Sequence, residues 1–327
     1  MHCAGLVSKD ALVETKAELG NDIILNRVDG AELFLNGDSF RINSRGTALV
    51  IDREKFDCAL GRGLDVKLNT RFLGIEKVNG SYLVETDKEE YCADIVVGAD
   101  GANSSVRRVF GFKENIEYLR GVQCRIRYDK CDRNFVQVHL KMPFFAWVVP
   151  EKEGIARVGI ISNEPYLDLT GFLKEKSING EILEKFAGVV PLGKCATQKE
   201  KVFLVGDAAC QVKPLTHGGI YYGMRCAEIL ADCLAVERPG DYEKLWRDRF
   251  SREIQIGLTI RQAYKQLSHS HINSIFRVLK ENAVTLEDAV DFENHSKIIS
   301  SLIKNPVLQG IFGKILIGLV RDTKINF

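Results

Sequence analysis

The sequence has no excess of charge of either sign. Its 45 lysine and arginine residues are balanced by 44 aspartate and glutamate residues, and the formal net charge is +1. Proteins that bind nucleic acid usually carry a basic surface, so this balance argues against nucleic acid as the main partner. The 327 residues are enough to bury a large core in one or two domains.

The nine cysteines lack the spacing of a disulfide framework or of a metal site. Cys124 and Cys131 are seven positions apart, and no His-x-x-x-His accompanies them. His269 and His271 have no Cys or carboxylate spaced to join them. We therefore expect no bound metal and a reduced, cytoplasmic chain. The first residues, MHCAGLVSKD, are not the apolar run of a signal peptide.

Long hydrophobic runs are also missing. No stretch reaches the ~18 uninterrupted apolar residues that a membrane-spanning helix needs. The nearest is Pro306 to Val320, which Gln309 and Lys314 interrupt. We favour a helix of the core or of a groove for this segment, and a peripheral contact with a membrane stays open.

The stretch from Lys201 to Ala235 has the pattern of a strand, a turn and a helix. Val202 to Val205 is a short apolar run, which predicts a buried parallel strand. From Ile220 onward the apolar residues recur at a spacing close to 3.6, which predicts a helix. Because a helix N-terminus favours an electron-rich group, the pattern indicates a loop that contacts a phosphate or a dinucleotide.

The turn between this strand and this helix carries the candidate cofactor-binding residues. An aspartate at the carboxyl end of the strand can accept hydrogen bonds from ribose or ribityl hydroxyls. The candidates are Gly206, Asp207, Pro214, Gly218, Gly219 and Ile220. The alternative is an ordinary strand-loop-helix unit of an α/β protein.

The pattern G-D-A-A…P-x-x-x-G-G-I resembles the second FAD-binding motif of the flavoprotein hydroxylase superfamily. The longer run QVKPLTHGGIYYGMRCAEILA resembles the geranylgeranyl reductase family, which includes digeranylgeranylglycerophospholipid reductases. Two positions depart from the family pattern, because Cys210 and His217 stand where the family usually has glycine. The resemblance implies FAD as the cofactor.

A second motif, GADGANSSVRR, begins at Gly98 after a predicted buried strand. It resembles the Asp-Gly motif of the same flavoproteins, and Asp100, Gly101 and Arg107 occupy the matching positions. The alternative is a serine-capped junction between a strand and a helix, with a solvated arginine. The flavoprotein superfamily that these motifs resemble separates them by about 100 residues, as here, and this resemblance favours a role in cofactor binding.

Two shorter segments extend the resemblance towards the flavin ring. Cys3 and Gly5 belong to a C-x-G-x-x-x-S segment, where a small thiol and a glycine let the backbone approach the isoalloxazine. Arg53 opens a segment similar to the family's R-x-x-F-D, and it either reaches the cofactor or only caps the helix. Cys3 and His217 are the candidate catalytic residues, and His217 is the candidate proton donor.

The segment FAWVVP resembles the family's Y-x-W-x-F-P substrate motif. Its candidate substrate-binding residues are Phe145, Trp147, Val149 and Pro150. Phe145, Trp147 and Val149 alternate along a predicted strand, so they share one face and can line an apolar slot for a prenyl chain. Plain core packing is the alternative.

The family normally carries a βαβ unit with G-x-G-x-x-G ahead of this point, and that unit holds the pyrophosphate of the cofactor. Two residues precede Cys3 here, and Gly61-Arg62-Gly63 lacks the third glycine. We therefore expect these 327 residues by themselves to bind FAD weakly or not at all.

Together these patterns predict a mixed α/β fold. We expect a discontinuous, Rossmann-like FAD-binding domain (residues 1–112 and 190–240), an antiparallel-sheet substrate domain (113–189) and a helical C-terminal region (241–327). Residues 168–187 are predicted to be helical, and Val189 to Cys195 to return to the central sheet.

The resemblance implies an FAD-dependent reductase that saturates carbon–carbon double bonds of geranylgeranyl groups in isoprenoid lipids. Its partners would be a prenylated lipid substrate and an external electron donor that the sequence does not identify. Two alternatives stay open: a flavin-dependent monooxygenase, and a non-catalytic prenyl-lipid-binding protein that has lost the pyrophosphate clamp.

Overall fold

The computed structural model describes residues 3–15, 18–141, 143–288, 291–297, 306, 309 and 310. Its strands, in chain order, are Leu6–Ser8 (β1), Ile24–Leu35 (β2), Asp38–Ile51 (β3), Phe72–Val78 (β4), Ser81–Thr86 (β5), Glu90–Ala93 (β6), Val96–Gly98 (β7), Glu114–Arg127 (β8), Phe135–Lys141 (β9), Phe144–Lys152 (β10), Ile155–Ile161 (β11), Ile182–Cys195 (β12), Gln198–Lys199 (β13) and Val202–Leu204 (β14). Its α-helices are Lys9–Val13 (α1), Arg53–Leu60 (α2), Ser105–Val109 (α3), Pro165–Glu175 (α4), Ile220–Ala235 (α5), Tyr242–Lys265 (α6), His269–Glu281 (α7) and Ala283–Glu287 (α8).

Eight strands form one large sheet in the order β1-β3-β2-β9-β10-β11-β8-β12. Neighbouring strands are antiparallel except β2 and β9, which run parallel. Helix α4 covers one face, where Leu169 and Phe172 pack against strand residues such as Val148 and Val158. The opposite face of the central strands is turned towards the chain start and the loop before α5, as the contacts below show.

A smaller sheet carries the predicted parallel strand. It has the order β13-β14-β7, and β14 runs parallel to β7 with Phe203 opposite Val97. All three residues of β14 are buried, as the apolar run predicts. A third sheet, β4-β5-β6, is antiparallel.

Helices α5 and α6 pack on β14 through an aromatic-rich cluster. Phe203 contributes from the strand, Tyr222 from α5, and Tyr242, Trp246 and Phe250 from α6. The hydroxyl of Tyr242 donates to the backbone oxygen of Leu204 at 2.7 Å, so the helix pair is fixed to the end of the strand by polar contacts as well. This end of the strand is where the candidate turn begins.

The prediction of a helix over residues 168–187 is wrong beyond Glu175. Helix α4 ends there, Ser177 has a φ of 53°, and the chain then enters β12. Strand β12 pairs antiparallel with β8 from Ile182 to Cys195, so Val189 to Cys195 belongs to the large sheet rather than to the parallel one. Long-range pairing with β8 outweighs the local helical pattern of these residues.

The large sheet also crosses the predicted domain limits. Strands β1 to β3, within residues 6–51, share it with β8 to β12, within residues 114–195. The sheet therefore does not follow the limit at residue 112, and the division into 1–112 plus 190–240, 113–189 and 241–327 stays a prediction.

Helices α6, α7 and α8 lie in the region after residue 240 that was predicted to be helical. The predicted helix from Pro306 to Val320 lies largely outside the described residues. Within the part of the chain that is described, no helix is both long enough and apolar enough to cross a membrane.

Candidate functional site

The predicted turn follows β14 directly. Gly206 has a φ of 64°, and its N–H donates to Gln211 Oε1 at 2.7 Å. Residues Gly206–Ala209 then form one short 3-10 turn that carries Asp207. Gln211 in turn donates to the Tyr242 hydroxyl at 2.9 Å, so the turn is held from behind by a buried polar chain.

Asp207 lies under the N-terminus of α5. A Cβ built on Gly219 would lie 2.8 Å from Asp207 Oδ1, so a side chain at Gly219 would collide with the carboxylate. Gly219 is the N-cap residue of α5, and no side chain caps that helix end. Its first N–H groups therefore remain available beside the carboxylate.

The Asp207 carboxylate has no hydrogen-bond partner among the described residues. Burial raises the pKa of Asp207, and the nearby Arg53 guanidinium opposes this rise. Asp207 is half-buried, so its carboxylate has lost part of its hydration, and a donor on a ligand can replace it. The Asp207 carboxylate can therefore accept a hydrogen bond from a bound molecule, and its contact with the cofactor stays a prediction.

The chain start is fixed against the large sheet through its carbonyl oxygens. Gln123 of β8 donates to Cys3 O at 2.8 Å, and Arg157 of β11 donates to Ala4 O at 2.8 Å. A Cβ at Gly5, which has a φ of 67°, would lie 2.0 Å from Arg157 Nη1. Glycine is required here both for the backbone conformation and for the close approach of the arginine.

Arg53 links the chain start to the Asp207 turn. Its guanidinium forms a fork with Asp57, with Nη2 at 3.0 and 3.1 Å from the two carboxylate oxygens. Burial lowers the pKa of Arg53, but Cys3 and Asp57 raise it by more than burial lowers it, so the net shift of the pKa is upward. Arg53 therefore interacts electrostatically with both Cys3 and Asp207.

The predicted aromatic face of β10 lies against the loop before α5. Trp147 pairs with Gly159 across β11, and its indole lies over this glycine, because a Cβ there would be 2.2 Å from Cζ2. The ring of Phe145 lies 5.9 Å from that of Trp147. His217 stacks on Phe145 with ring centroids 5.2 Å apart and planes 6° apart. The substrate motif and the cofactor loop thus meet at this stack.

His217 is a neutral residue in this position. Both ring nitrogens are buried and have no hydrogen-bond partner among the described residues. Burial, with a smaller contribution from Arg261, lowers the pKa of His217 to about 3. At neutral pH its imidazole can donate one hydrogen bond and accept one, but it holds no imidazolium proton.

Two further polar atoms near the stack are buried without partners in the described part of the chain. They are Nε1 of Trp147, a donor, and Oε1 of Gln123, an acceptor. Gln123 pairs with Gly159 across β8 and β11, so both side chains border the same glycine. Sequence patterning missed Gln123, because a polar residue in an alternating strand also fits a solvated face.

The other two candidate substrate residues are placed differently. Val149 is 1% exposed and packs in a core cluster with Val28 and Val50. Pro150 is buried too, and it follows Val149 onto the opposite side of the strand. Their contact with substrate stays a prediction.

The Asp-Gly motif forms a capped junction beside the same turn. The Asp100 carboxylate accepts from the N–H groups of Ser105 and Val106 at 2.6 and 3.1 Å, and Gly101 has a φ of 77°. Asp100 is exposed on its outer side. Its role here is that of a helix cap, and a contact with the cofactor stays a prediction.

Arg107 connects this junction to the Asp207 turn. It is 1% exposed and donates to Ala102 O, Ala208 O and the Tyr118 hydroxyl, each at 2.7 Å. Its Nε lies 2.5 Å from a carboxylate oxygen of Glu114. The protein occupies the Nη1 and Nη2 donors of Arg107, whereas Nε makes no hydrogen bond within the described part of the chain. Arg107 is thus a bridge between the two motifs, and its contact with the cofactor stays a prediction.

Two of the remaining candidates, Pro214 and Ile220, support the loop from its sides. Pro214 packs against Gly257 of α6, where a Cβ would lie 2.9 Å from its Cδ. Ile220 packs on the cluster of Val7 and Phe56, next to the chain start.

A segment that the sequence patterns did not indicate covers the loop. The buried Lys213 donates to Phe292 O at 2.8 Å, lies 4.2 Å from the Phe292 ring centroid and 3.0 Å from Glu293 Oε2. Tyr222 donates to Glu293 O at 2.9 Å. A Cβ at Gly218 would lie 2.9 Å from Lys213 Cε, so this ion pair is packed against the glycine pair.

These features fit a flavin nucleotide. The unpartnered Asp207 carboxylate matches hydroxyl donors, and the uncapped α5 terminus matches an electron-rich group. The unpartnered atoms of Gln123, Trp147 and His217 match a polar ring that carries both donors and acceptors. No cluster of three or more side chains suited to a metal ion occurs among the described residues.

Comparisons with known proteins give a consistent result. No protein-family model matches the chain. An uncharacterised protein of Methanocaldococcus jannaschii is 31% identical over 90% of this chain and 81% of its own length. A digeranylgeranylglycerophospholipid reductase of Methanosarcina acetivorans is 28% identical over 86% of this chain and 79% of its own length. The chain belongs to the geranylgeranyl reductase family.

The family assignment made on the sequence is thereby confirmed, and with it the class of oxidoreductase that the family name states. A crystal structure of a geranylgeranyl bacteriochlorophyll reductase-like protein from Thermoplasma acidophilum has a TM-score of 0.81 and 23% identity, covering 96% of this chain and 89% of that one. It shares the fold of this chain. The predicted fold class, with its Rossmann-like domain and helical C-terminal part, is confirmed.

Proposed function

We propose that this chain is an FAD-dependent reductase that saturates carbon–carbon double bonds of geranylgeranyl groups in isoprenoid lipids. The observation that carries the proposal is the meeting of three motifs distant in sequence. Gln123 joins the Cys3 segment to the large sheet, Arg53 interacts electrostatically with Cys3 and with Asp207, and His217 of the loop before α5 stacks on Phe145.

Asp207 and the N-terminus of α5 would hold the cofactor. The carboxylate would accept hydrogen bonds from ribityl hydroxyls, and the uncapped N–H groups beside Gly219 would face an electron-rich part of the cofactor. The backbone at Gly5 would border the ring. When bound, a reduced flavin supplies the hydride for alkene reduction.

The aromatic face of β10 would position the prenyl chain. Phe145 and Trp147 are half-buried and present apolar ring surface beside His217. An apolar slot of this kind excludes water and aligns a double bond without forming a bond to it. Because His217 is neutral, it would orient a bound group by a hydrogen bond; a role as the proton donor stays a prediction.

Reduction of a geranylgeranylated glycerolipid tests the proposal. The purified chain is incubated with FAD in large excess, dithionite and the lipid, and the product is analysed by mass spectrometry. We expect a mass gain of two hydrogens for each double bond reduced, and none with a Phe145→Ala/Trp147→Ala variant that still folds. An unchanged lipid in the presence of bound flavin would contradict the proposal.

The same preparation separates the two alternatives. Oxygen consumption with NAD(P)H and transfer of oxygen to the substrate would indicate a monooxygenase. A lipid-binding protein would bind the lipid but no flavin. It would bind no flavin at any FAD concentration, even in a chain extended by a G-x-G-x-x-G unit.

A further inference from the structure

Two buried cysteines meet behind the Asp207 turn. Cys195 is the last residue of β12, and Cys210 follows the Gly206–Ala209 turn. They are 5% and 3% exposed. The Cys195 sulfur lies 4.0 Å from Ala208 O, two residues before Cys210, and both cysteines belong to one buried cluster. Two thiols brought together from different elements are the starting geometry for a disulfide.

The surroundings of the two sulfurs differ. The Cys210 thiol, by hydrogen bonding, and the charges of Arg107 and Arg247 lower the pKa of Cys195, although burial opposes them. The pKa of Cys210 is raised, first by its interaction with Cys195 and then by burial. Because the thiolate is the nucleophile in disulfide exchange, Cys195 is suited to attack and Cys210 to complete the exchange.

A cavity borders both cysteines. Its volume is about 400 Å³, and Cys195 and Cys210 line it together. Lys194, Arg247 and Arg252 also line it, and no carboxylate is among the lining residues. Arg247 is paired with Glu243 at 2.6 Å, so the positive charge of the cavity comes mainly from Lys194 and Arg252. Arg247 further donates to Cys195 O at 3.0 Å, which joins the cationic wall to the cysteine itself. A small molecule with negative charge is therefore favoured in this cavity.

We propose that Cys195 and Cys210 are a redox-active dithiol, oxidised to a disulfide by a small anionic disulfide that enters this cavity. The Cys195 thiolate attacks one sulfur of the reagent, and the first half leaves as a thiolate that takes up a proton. Cys210 then loses its proton and displaces the second half from Cys195. One S–S bond forms in the protein, one breaks in the reagent, and two electrons and two protons pass to the reagent.

The proposal stands apart from the reductase activity. The cavity is lined by residues of β12, of α6 and of the end of the Asp207 turn, and none of the residues proposed to bind flavin or the prenyl chain lines it.

Exchange with 3,3′-dithiodipropionate tests the proposal. The reduced, folded protein is treated with this reagent, the remaining thiols are alkylated, and peptides are analysed by mass spectrometry. We expect a peptide pair linked through Cys195 and Cys210. Cys210→Ser should instead keep the reagent's half bound to Cys195, and Cys226→Ser, a buried cysteine on α5, should give the same linked pair as the unaltered chain.

The charge of the reagent gives a second measurement. The linked pair should form about tenfold faster with the anionic reagent than with cystamine, which carries positive charge. Arg252→Gln should reduce the ratio of these two rates, because it removes positive charge from the cavity. Recovery of Cys195 and Cys210 as free thiols, with only the exposed Cys58 and Cys92 modified, would overturn the proposal. Equal rates with the two reagents would overturn the assignment of an anionic oxidant.

Discussion

Replacing Lys213 by methionine is expected to lower the free energy of unfolding by about 3–5 kcal/mol. Lys213 and Glu293 are 3% and 4% exposed, and their charged atoms are 3.0 Å apart. Methionine fills a similar volume but removes the charge and the hydrogen bond to Phe292 O. Glu293 is then left buried without its counter-charge, which is the costly outcome for a buried pair.

Urea unfolding followed by fluorescence measures this loss. The double variant Lys213→Met/Glu293→Met should recover most of the stability, because it removes both charges and leaves an apolar contact. Lys297→Met is the matched control. Lys297 pairs with Asp291 at 2.6 Å, but its side chain is 61% exposed, so its removal should cost about 0–1 kcal/mol.

The reasoning rests on the burial of the pair. If Lys213→Met and Glu293→Gln each cost less than about 1 kcal/mol, the two charges are screened as surface charges are. The segment that contains Phe292 and Glu293 would then not cover the loop before α5 in solution.

Three further predictions concern the proposed site. Asp207→Ala should weaken the binding of FAD about ten- to a hundredfold, since a charge-assisted hydrogen bond contributes roughly 1.5–3 kcal/mol. The melting temperature of the flavin-free protein should change little. An unchanged FAD affinity together with a much lower melting temperature would make Asp207 a structural residue. Trp147→Ala should reduce turnover of long prenyl substrates while flavin binding persists, and a variant that loses flavin and melts early would show Trp147 to be core. The 327 residues alone should bind FAD weakly, and more tightly once a G-x-G-x-x-G unit is added; a purified chain that is yellow at stoichiometric flavin contradicts this.

The sequence predicted the parts of the site that depend on local order. The turn after β14 and the start of α5 follow from an apolar run, an acidic residue and a glycine pair within about twenty residues. The alternation in β10 likewise predicted that Phe145 and Trp147 share one face. These features are encoded by neighbours along the chain.

The partners that hold the site together could not be predicted in the same way. Gln123 contacts Cys3 across 120 positions, and Arg157 contacts Ala4 across 153. Both sit in strands where a polar residue predicts exposure, yet Arg157 is 7% exposed and is paired with Glu151, which is 2% exposed. Only the tertiary packing of the chain start against the sheet buries them.

The error over residues 182–187 has the same origin. Locally these residues are compatible with a continued helix, but each of them lies beside β8 in the folded chain. Pairing between strands that are about sixty positions apart decides the structure, and a window of neighbouring residues does not contain that information.

The attachment of the chain start has a consequence for how residue 3 can change. Gln123 and Arg157 donate hydrogen bonds to the backbone carbonyl oxygens of Cys3 and Ala4 rather than to the side chain of Cys3. Every amino acid has such a carbonyl oxygen. The Cys3 sulfur accepts a weak contact from the Gly5 N–H at 3.2 Å and interacts with the Arg53 side chain, and neither contact fixes the path of the backbone. The path of the backbone at residue 3 therefore does not depend on which side chain stands there. A thiol, a hydroxyl or a methyl group can be presented at this point of the site from the same scaffold.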